Sequence, residues 1–310
     1  METALSTRWN ASRHANGESL IEEILDLGLN RVELGYNLTA DLVPGILRMV
    51  EEGSVQVTSV HNFCPVPMGV SGGHPELFLL AASSARERER AVNYTSRSLE
   101  LAARCGASAV VVHAGYVHMP RLTPKLTALA AEGKQQTRSF EKTKLKLMLR
   151  RDKKADRQMD YLSDSLEKLL PSTEGTGVRI ALENLPSWEA LPKLTEMEAL
   201  CARFGSEGLA YWHDTGHARI LQDLGFVVQK SILERLLPFL AGYHVHDVDT
   251  HLCDHIMPPK GNMSFDSLAS FLNTDKPLVL EPLPGTPEKD IKEAAEFLRL
   301  LEPGTRSGTE

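Results

Sequence analysis

Residues 178–183 read Val-Arg-Ile-Ala-Leu-Glu, an almost wholly apolar run closed by a carboxylate. Such a run has the pattern of a parallel strand buried on both faces. The pattern recurs in VQVTSV at 55–60 and AVVVH at 109–113. Working outward, short β-branched runs are expected as strands at 4–8, 31–34, 55–61, 108–113, 178–183, 209–214, 242–247 and 277–281. Amphipathic helical periods separate them. Leu20, Ile21, Ile24 and Leu25 form one stripe, and Ile291, Ala294, Ala295, Leu298 and Leu301 form another. Gly28, Gly53 and Gly106 stand where helices stop ahead of the second, third and fourth strands. Eight strands, each followed by a helix, predict a single-domain α/β fold, a (β/α)8 TIM barrel over residues 1–302. An open doubly wound sheet fits less well: no GxGxxG follows the first strand, and no P-loop motif occurs.

Two connections break the rhythm. Residues 62–82, NFCPVPMGVSGGHPELFLLAA, form a loop rich in Pro and Gly after the third strand. Residues 115–157, after the fourth, are longer still and read as a helical insertion, with Leu145, Leu147, Met148 and Leu149 lending apolar character. The insertion is expected either as a solvated helical pair or as a cap, because it leaves the strand end where barrel active sites sit. It is also basic: residues 121–160 hold 12 Lys/Arg against 5 Asp/Glu, in a chain of net charge −7. The acidic remainder disfavours a nucleic-acid partner, while the basic appendage suits a small anionic substrate. Residues 303–310 are expected as a disordered tail.

Hydrophobic residues at 42% and charged residues at 24% mark an ordinary globular chain. Cys64, Cys105, Cys201 and Cys253 lie far apart with no CxxC, which excludes a disulfide-dense scaffold or a cysteine-rich zinc knuckle. Cys64, near His61 in HNFCP, reads as a packing residue rather than a nucleophile. No apolar run reaches the roughly 18–20 residues that cross a bilayer. The first residues lack a secretion pattern, so the cytosol is the expected compartment.

His61, His113, Glu183, Asp214, His244 and Glu281 each fall at or near the C-terminal end of an expected strand, the third through the eighth. Their separations are 52, 70, 31, 30 and 37 residues, and the two wide gaps contain the two long connections. Adjacent parallel strands would gather these side chains on one rim. His217 and His255 follow in nearby loops. Clustered imidazoles and carboxylates repel one another or suffer desolvation unless cations hold them together. With almost no thiolate, the set suits Zn2+, Mn2+ or Fe2+. One catalytic ion needs about three or four ligands, so eight candidates allow one to three ions per chain. The surplus histidines favour multi-metal hydrolysis over one-ion enolisation.

The segments SVHNFCPVPMGVSGGHP, VVHAG, ALEN, HDTGHA, GYHVHD and LVLEP follow in that order. In them the chain resembles, over nearly its whole length, the xylose-isomerase-like barrel superfamily (AP endonuclease family 2). That group includes endonuclease IV and the sugar phosphate isomerase/epimerase relatives. The resemblance implies Glu183, Asp214, His244 and Glu281 as metal ligands in both branches. The endonuclease IV pattern adds His61, His113, His217 and His255. It carries Asp-x-His where this chain has Cys253-Asp254-His255. Cys253 or Asp254 then fills the aspartate's place, or the third ion is altered or lost. Lys260 is expected to meet an anionic substrate group, His246 either to meet substrate or to support a ligand from behind, and Trp188 to pack as wall or core or to line the mouth against substrate.

These readings point first to a divalent-metal-dependent hydrolase of a phosphoester bond in a bulky anionic substrate, such as the nucleotide loop of a cobamide. Zn2+ or Mn2+ would be the cofactor, with Glu183, Glu281 and His217 as the catalytic set. The alternative is a sugar or sugar-phosphate isomerase/epimerase. It would use one divalent ion, with Glu183 and Glu281 passing a proton at the carbon beside a carbonyl. A further alternative is an abasic-site endonuclease, which the acidic body disfavours.

Overall fold

The structure is a computed structural model that describes residues 3–301. Its strands are β1 (Thr3–Ser6), β2 (Arg31–Leu34), β3 (Gln56–His61), β4 (Ala109–Val112), β5 (Gly115–Tyr116), β6 (Arg179–Glu183), β7 (Ala190–Leu191), β8 (Leu209–Asp214), β9 (Leu240–Val245) and β10 (Leu278–Leu280). Eight of them close into a barrel in the order β1-β10-β9-β8-β6-β4-β3-β2. Every barrel pairing is parallel. The predicted TIM barrel is therefore the observed fold. β5 and β7 pair separately as a short antiparallel ribbon.

A plug of Ala4, Ala109, Val111, Ala181, Ala210, Trp212, Ala241 and Val279 fills the barrel interior. Small side chains dominate because eight strands leave an interior just wide enough for packed side chains. Trp212 is the exception. Gly242 on the neighbouring strand makes its space, since a Cβ there would collide with the indole. Two residues beyond Val111, Ala181, Trp212, Gly242 and Val279, the pleat returns to the same face. Those positions are His113, Glu183, Asp214, His244 and Glu281.

Outside the barrel lie α1 (Gly17–Leu25), α2 (Val43–Glu51), α3 (Ala85–Cys105), α4 (Thr123–Ala131), α5 (Arg138–Asp152), α6 (Ala155–Leu169), α7 (Leu194–Phe204), α8 (Thr215–Asp223), α9 (Gln229–Leu236), α10 (Ala269–Leu272) and α11 (Glu288–Leu300). Outward strand residues such as Leu5, Val110, Ile180 and Leu278 join Leu20, Ile46, Leu99, Leu166 and Ile291 of the helices in one core. Gly28, Gly53 and Gly106 all adopt positive φ, the conformation expected where a helix stops.

Several boundaries differ from expectation. The seventh expected strand, 242–247, forms two residues earlier as β9, so His246 and Asp247 lie past the strand end. The first stops at Ser6, and a 3-10 turn, Thr7–Trp9, carries Arg8. The β5–β7 ribbon was not foreseen, because two-residue strands carry no periodic signal.

The expected insertion comprises β5, α4, α5 and the start of α6. Leu126, Ala130, Phe140 and Leu147 seat it against Ile220 of α8, Leu224 just past its end, and Val248. Of the four apolar residues that marked it in the sequence, Leu147 is buried, whereas Leu145, Met148 and Leu149 are exposed. The expected tail, 303–310, lies outside the described residues. Among the described residues, no helix is long and apolar enough to cross a membrane.

Candidate metal centre

All eight expected ligands meet at one end of the barrel, and each is buried or nearly so. Glu183 is the hub. Its Oε2 lies 3.0 Å from His113 Nε2 and 3.4 Å from His61 Nε2. Its Oε1 lies 3.1 Å from His244 Nδ1 and 3.4 Å from His217 Nδ1. His244 Nδ1 is also 3.9 Å from Asp214 Oδ2 and 3.9 Å from Glu281 Oε2. Asp214 divides its work: Oδ1 accepts the His217 backbone N–H and caps α8, while Oδ2 faces the cluster.

Electrostatics explain the crowding. Burial alone would raise the Glu183 carboxyl, but His244 and His113 outweigh it and hold the group well below its ordinary range. Burial likewise opposes charge on His113, yet Glu183 and Glu76 raise it to about 9. His217, favoured by Asp214 and Glu183 against burial, reaches about 10. Without an ion, protons on imidazoles thus neutralise the carboxylates.

Donor atoms lie within 4.8 Å of one another in His61–His113–Glu183, in Glu183–Asp214–His244 and in His61–His244–Glu281. Buried nitrogen and carboxylate donors at such spacing fit a divalent ion. An ion needs neutral imidazoles and must displace those protons. Their raised values mean that the protonated forms stabilise the ion-free centre below the ordinary histidine range. That contribution is lost as pH rises through about 9 and 10 for His113 and His217. Zn2+ titration by calorimetry at pH 7 in two buffers of different ionisation enthalpy is therefore expected to show proton release and tighter binding at higher pH. A buffer-independent heat would contradict this.

Sequence reasoning missed several residues at the centre. Glu33 on β2 is fully buried and accepts from Ser6 Oγ and Ser59 Oγ. Its Oε2 lies 3.0 Å from His244 Nε2, leaving His244 Nδ1 toward the cluster. A carboxylate behind a ligating imidazole fixes its tautomer and orientation. Glu33→Gln is expected to weaken divalent-metal affinity about 10- to 100-fold by equilibrium dialysis; unchanged affinity would refute this role. Glu76, from the long loop, lies 3.5 Å from His113 Nδ1 and accepts from Tyr116. Asn184 Nδ2 donates to the Asp214 carbonyl (3.0 Å), and Asn184 Oδ1 accepts the Asp214 N–H (2.8 Å). Arg8 Nη1 lies 3.3 Å from Glu281 Oε1.

The expected substrate residues fare differently. His246 is buried and donates to Asp214 Oδ2, the supporting position that was one of the two expected for it. Gly216 of HDTGH permits this, since a Cβ there would strike the His246 ring. Lys260 turns to Asp290 and Glu293 of α11, away from the centre. Trp188 stacks on Phe226, with centroids 4.5 Å apart, and packs with the insertion rather than the ligand ring. Between the two residues offered for the displaced aspartate, Asp254 approaches the site, with Oδ2 3.8 Å from His217 Nε2. Cys253 is exposed. Cys64 is buried and its thiol is held well above its ordinary value by burial, as a packing residue should be.

With this geometry in view, comparison with known families is decisive: the family described as xylose isomerase-like TIM barrel matches residues 21–301. The chain belongs to that family. No curated protein matches it. Among solved structures, 3-keto-D-glucoside 4-epimerase from E. coli superposes with a TM-score of 0.69 at 18% identity, covering 96% of this chain and 99% of that one. A D-tagatose 3-epimerase-like protein gives 0.66 at 18%, covering 97% of each chain. A Thermus thermophilus protein soaked with ZnCl2 gives 0.59 at 19%, covering 97% of this chain and 98% of that one. At such identities the likeness establishes the fold. The named activities stand with the isomerase/epimerase alternative, and the hydrolase placed first in the sequence reading gains no support from them.

Proposed function

We propose that the chain is a divalent-metal-dependent isomerase or epimerase of a small polyhydroxylated carbonyl compound, a sugar or sugar phosphate. The observation that carries this reading is the placing of Glu183 and Glu281. From β6 and from the residue after β10, they approach His244 Nδ1 at 3.1 and 3.9 Å. A substrate carbon between two such carboxylates has one to remove its proton and another to return it. Burial would raise Glu281, but His244 and Arg8 outweigh it and keep the group ionised, ready to accept. Glu183, Asp214, His244 and Glu281 would hold the ion, Mn2+ or Zn2+, which when bound supplies Lewis-acid polarisation of the carbonyl. His217, whose Nδ1 donates to the Asn184 carbonyl, presents Nε2 to substrate oxygens. Other solved barrels of like fold, including D-psicose 3-epimerase, are sugar epimerases by name. A cytosolic location and an anionic substrate complete the proposal.

A specific feature favours a second reading, phosphoester hydrolysis. His61 and His113 add a donor group on the far side of Glu183 that a one-ion isomerase does not need. Metal-loaded protein incubated in D2O with a panel of ketoses, aldoses, their phosphates and phosphodiesters separates the two. Deuterium entering a sugar carbon supports isomerisation. Phosphodiester cleavage without carbon exchange would overturn it in favour of the hydrolase.

A further inference from the structure

His217, His246 and His255 bring donor nitrogens within 4.8 Å of one another, as close as in the groups already described. Both nitrogens of His246 are already engaged. His246 accepts the His255 backbone N–H on Nδ1 (3.0 Å) and donates from Nε2 to Asp214 (2.8 Å). Neither nitrogen keeps a lone pair for an ion. His255 donates from Nδ1 to the Glu281 carbonyl (3.0 Å), which leaves its lone pair on Nε2. Arg8 Nη1 lies 3.1 Å from that Nε2 and 3.4 Å from Nδ1. A nitrogen that close to both ring nitrogens lies over the face of the imidazole, so the guanidinium sets its positive charge against the ring without taking up the Nε2 lone pair. Arginine offers donors only and keeps its charge at any working pH.

Arg8 is held there by its own surroundings. The Arg8 carbonyl accepts from Asn37 Nδ2 (3.0 Å), and Thr7 Oγ1 accepts the Gly35 N–H (2.8 Å). A Cβ at Gly35 would meet the Arg8 nitrogen at 2.8 Å, so the close approach of the two loops requires glycine. The Arg8 side chain is only 14% exposed.

We propose that Arg8 is a built-in cation: its guanidinium stands in for a metal ion beside His255 and Glu281 and limits how many ions the centre takes up. The inference rests on the metal reading of the centre. Without Arg8, His255 and His217, whose donor nitrogens lie within 4.8 Å of one another, would face an ion free of that opposing charge, with the Asp254 carboxylate 3.8 Å from His217.

The test is the zinc content, by mass spectrometry, of protein equilibrated with Zn2+ and freed of excess ion by gel filtration. Arg8→Gln should bind one ion more than the wild type, and Arg8→Gln/His255→Ala should lose that gain. His255→Ala alone should keep the wild-type count, which also tests the proposal without touching Arg8. An equal count in wild type and Arg8→Gln, or an ion lost with His255→Ala, overturns the role of Arg8 and leaves the metal centre standing. No zinc in any of the proteins overturns the metal reading and this inference together.

Discussion

Glu183→Gln is expected to abolish turnover and to lower divalent-metal affinity by about 100-fold or more. The two oxygens of Glu183 approach four imidazoles, on β3 and β9, just past β4, and in α8. An amide keeps the shape but replaces one acceptor with a donor and removes the charge that His113 and His217 answer. Either His61–His113 loses its carboxylate or His244–Asp214 does, because one amide oxygen cannot serve both sides. Equilibrium dialysis with Zn2+ and turnover on the responding substrate measure the loss, and a circular-dichroism melt verifies folding. Wild-type affinity in this variant would mean that the ion sits elsewhere.

Arg151→Ala is expected to destabilise the protein by about 3–5 kcal/mol, the range for removing one partner of a buried ion pair. Arg151, near the end of α5, is buried. Its Nε donates to the Trp188 carbonyl (2.8 Å) and its Nη2 to that of Ala190 (3.1 Å). Nη1 and Nη2 each lie 2.7 Å from a different oxygen of Glu196. This bidentate grip ties the insertion to the β6–α7 connection. Truncation removes a partner from two carbonyls at once and leaves the Glu196 carboxylate with the Lys193 N–H but without its charged partner. Nearby Lys193, lowered to about 7 chiefly by burial and next by Arg151, should then titrate higher. Urea unfolding measures the stability, and hydrogen exchange should show α4 and α5 loosened. A change below about 1 kcal/mol would show the grip to be redundant.

The strands were legible because a parallel strand buried on both faces is nearly continuous in β-branched residues. The cluster was legible because a charged residue ending such a run has few other places to go. The same reasoning applied to the first two strands would have found Glu33, a carboxylate inside RVEL, and Arg8, at the end of the first run; it began at the third strand. Glu76 had no signal, since a loop carries no period.

Hydrogen-bond direction was also out of reach. His246 and His255 look alike in GYHVHD and CDHIM, and only the backbone amide on His246 Nδ1 separates a positioning group from a donor. Lys260 was misplaced because a loop's sequence does not say which way it turns, and in the fold it finds Asp290 and Glu293. For the insertion, an amphipathic helix shows that one face packs, while its seat on Ile220 and Leu224 depends on tertiary docking.

The central claim is that this rim holds a divalent cation. Anomalous diffraction from a crystal equilibrated with Zn2+ or Mn2+ tests it most directly. The account predicts a peak about 2.0–2.2 Å from donor atoms of Glu183, Asp214, His244 and Glu281. An empty rim, with ions only on surface carboxylates, would contradict it.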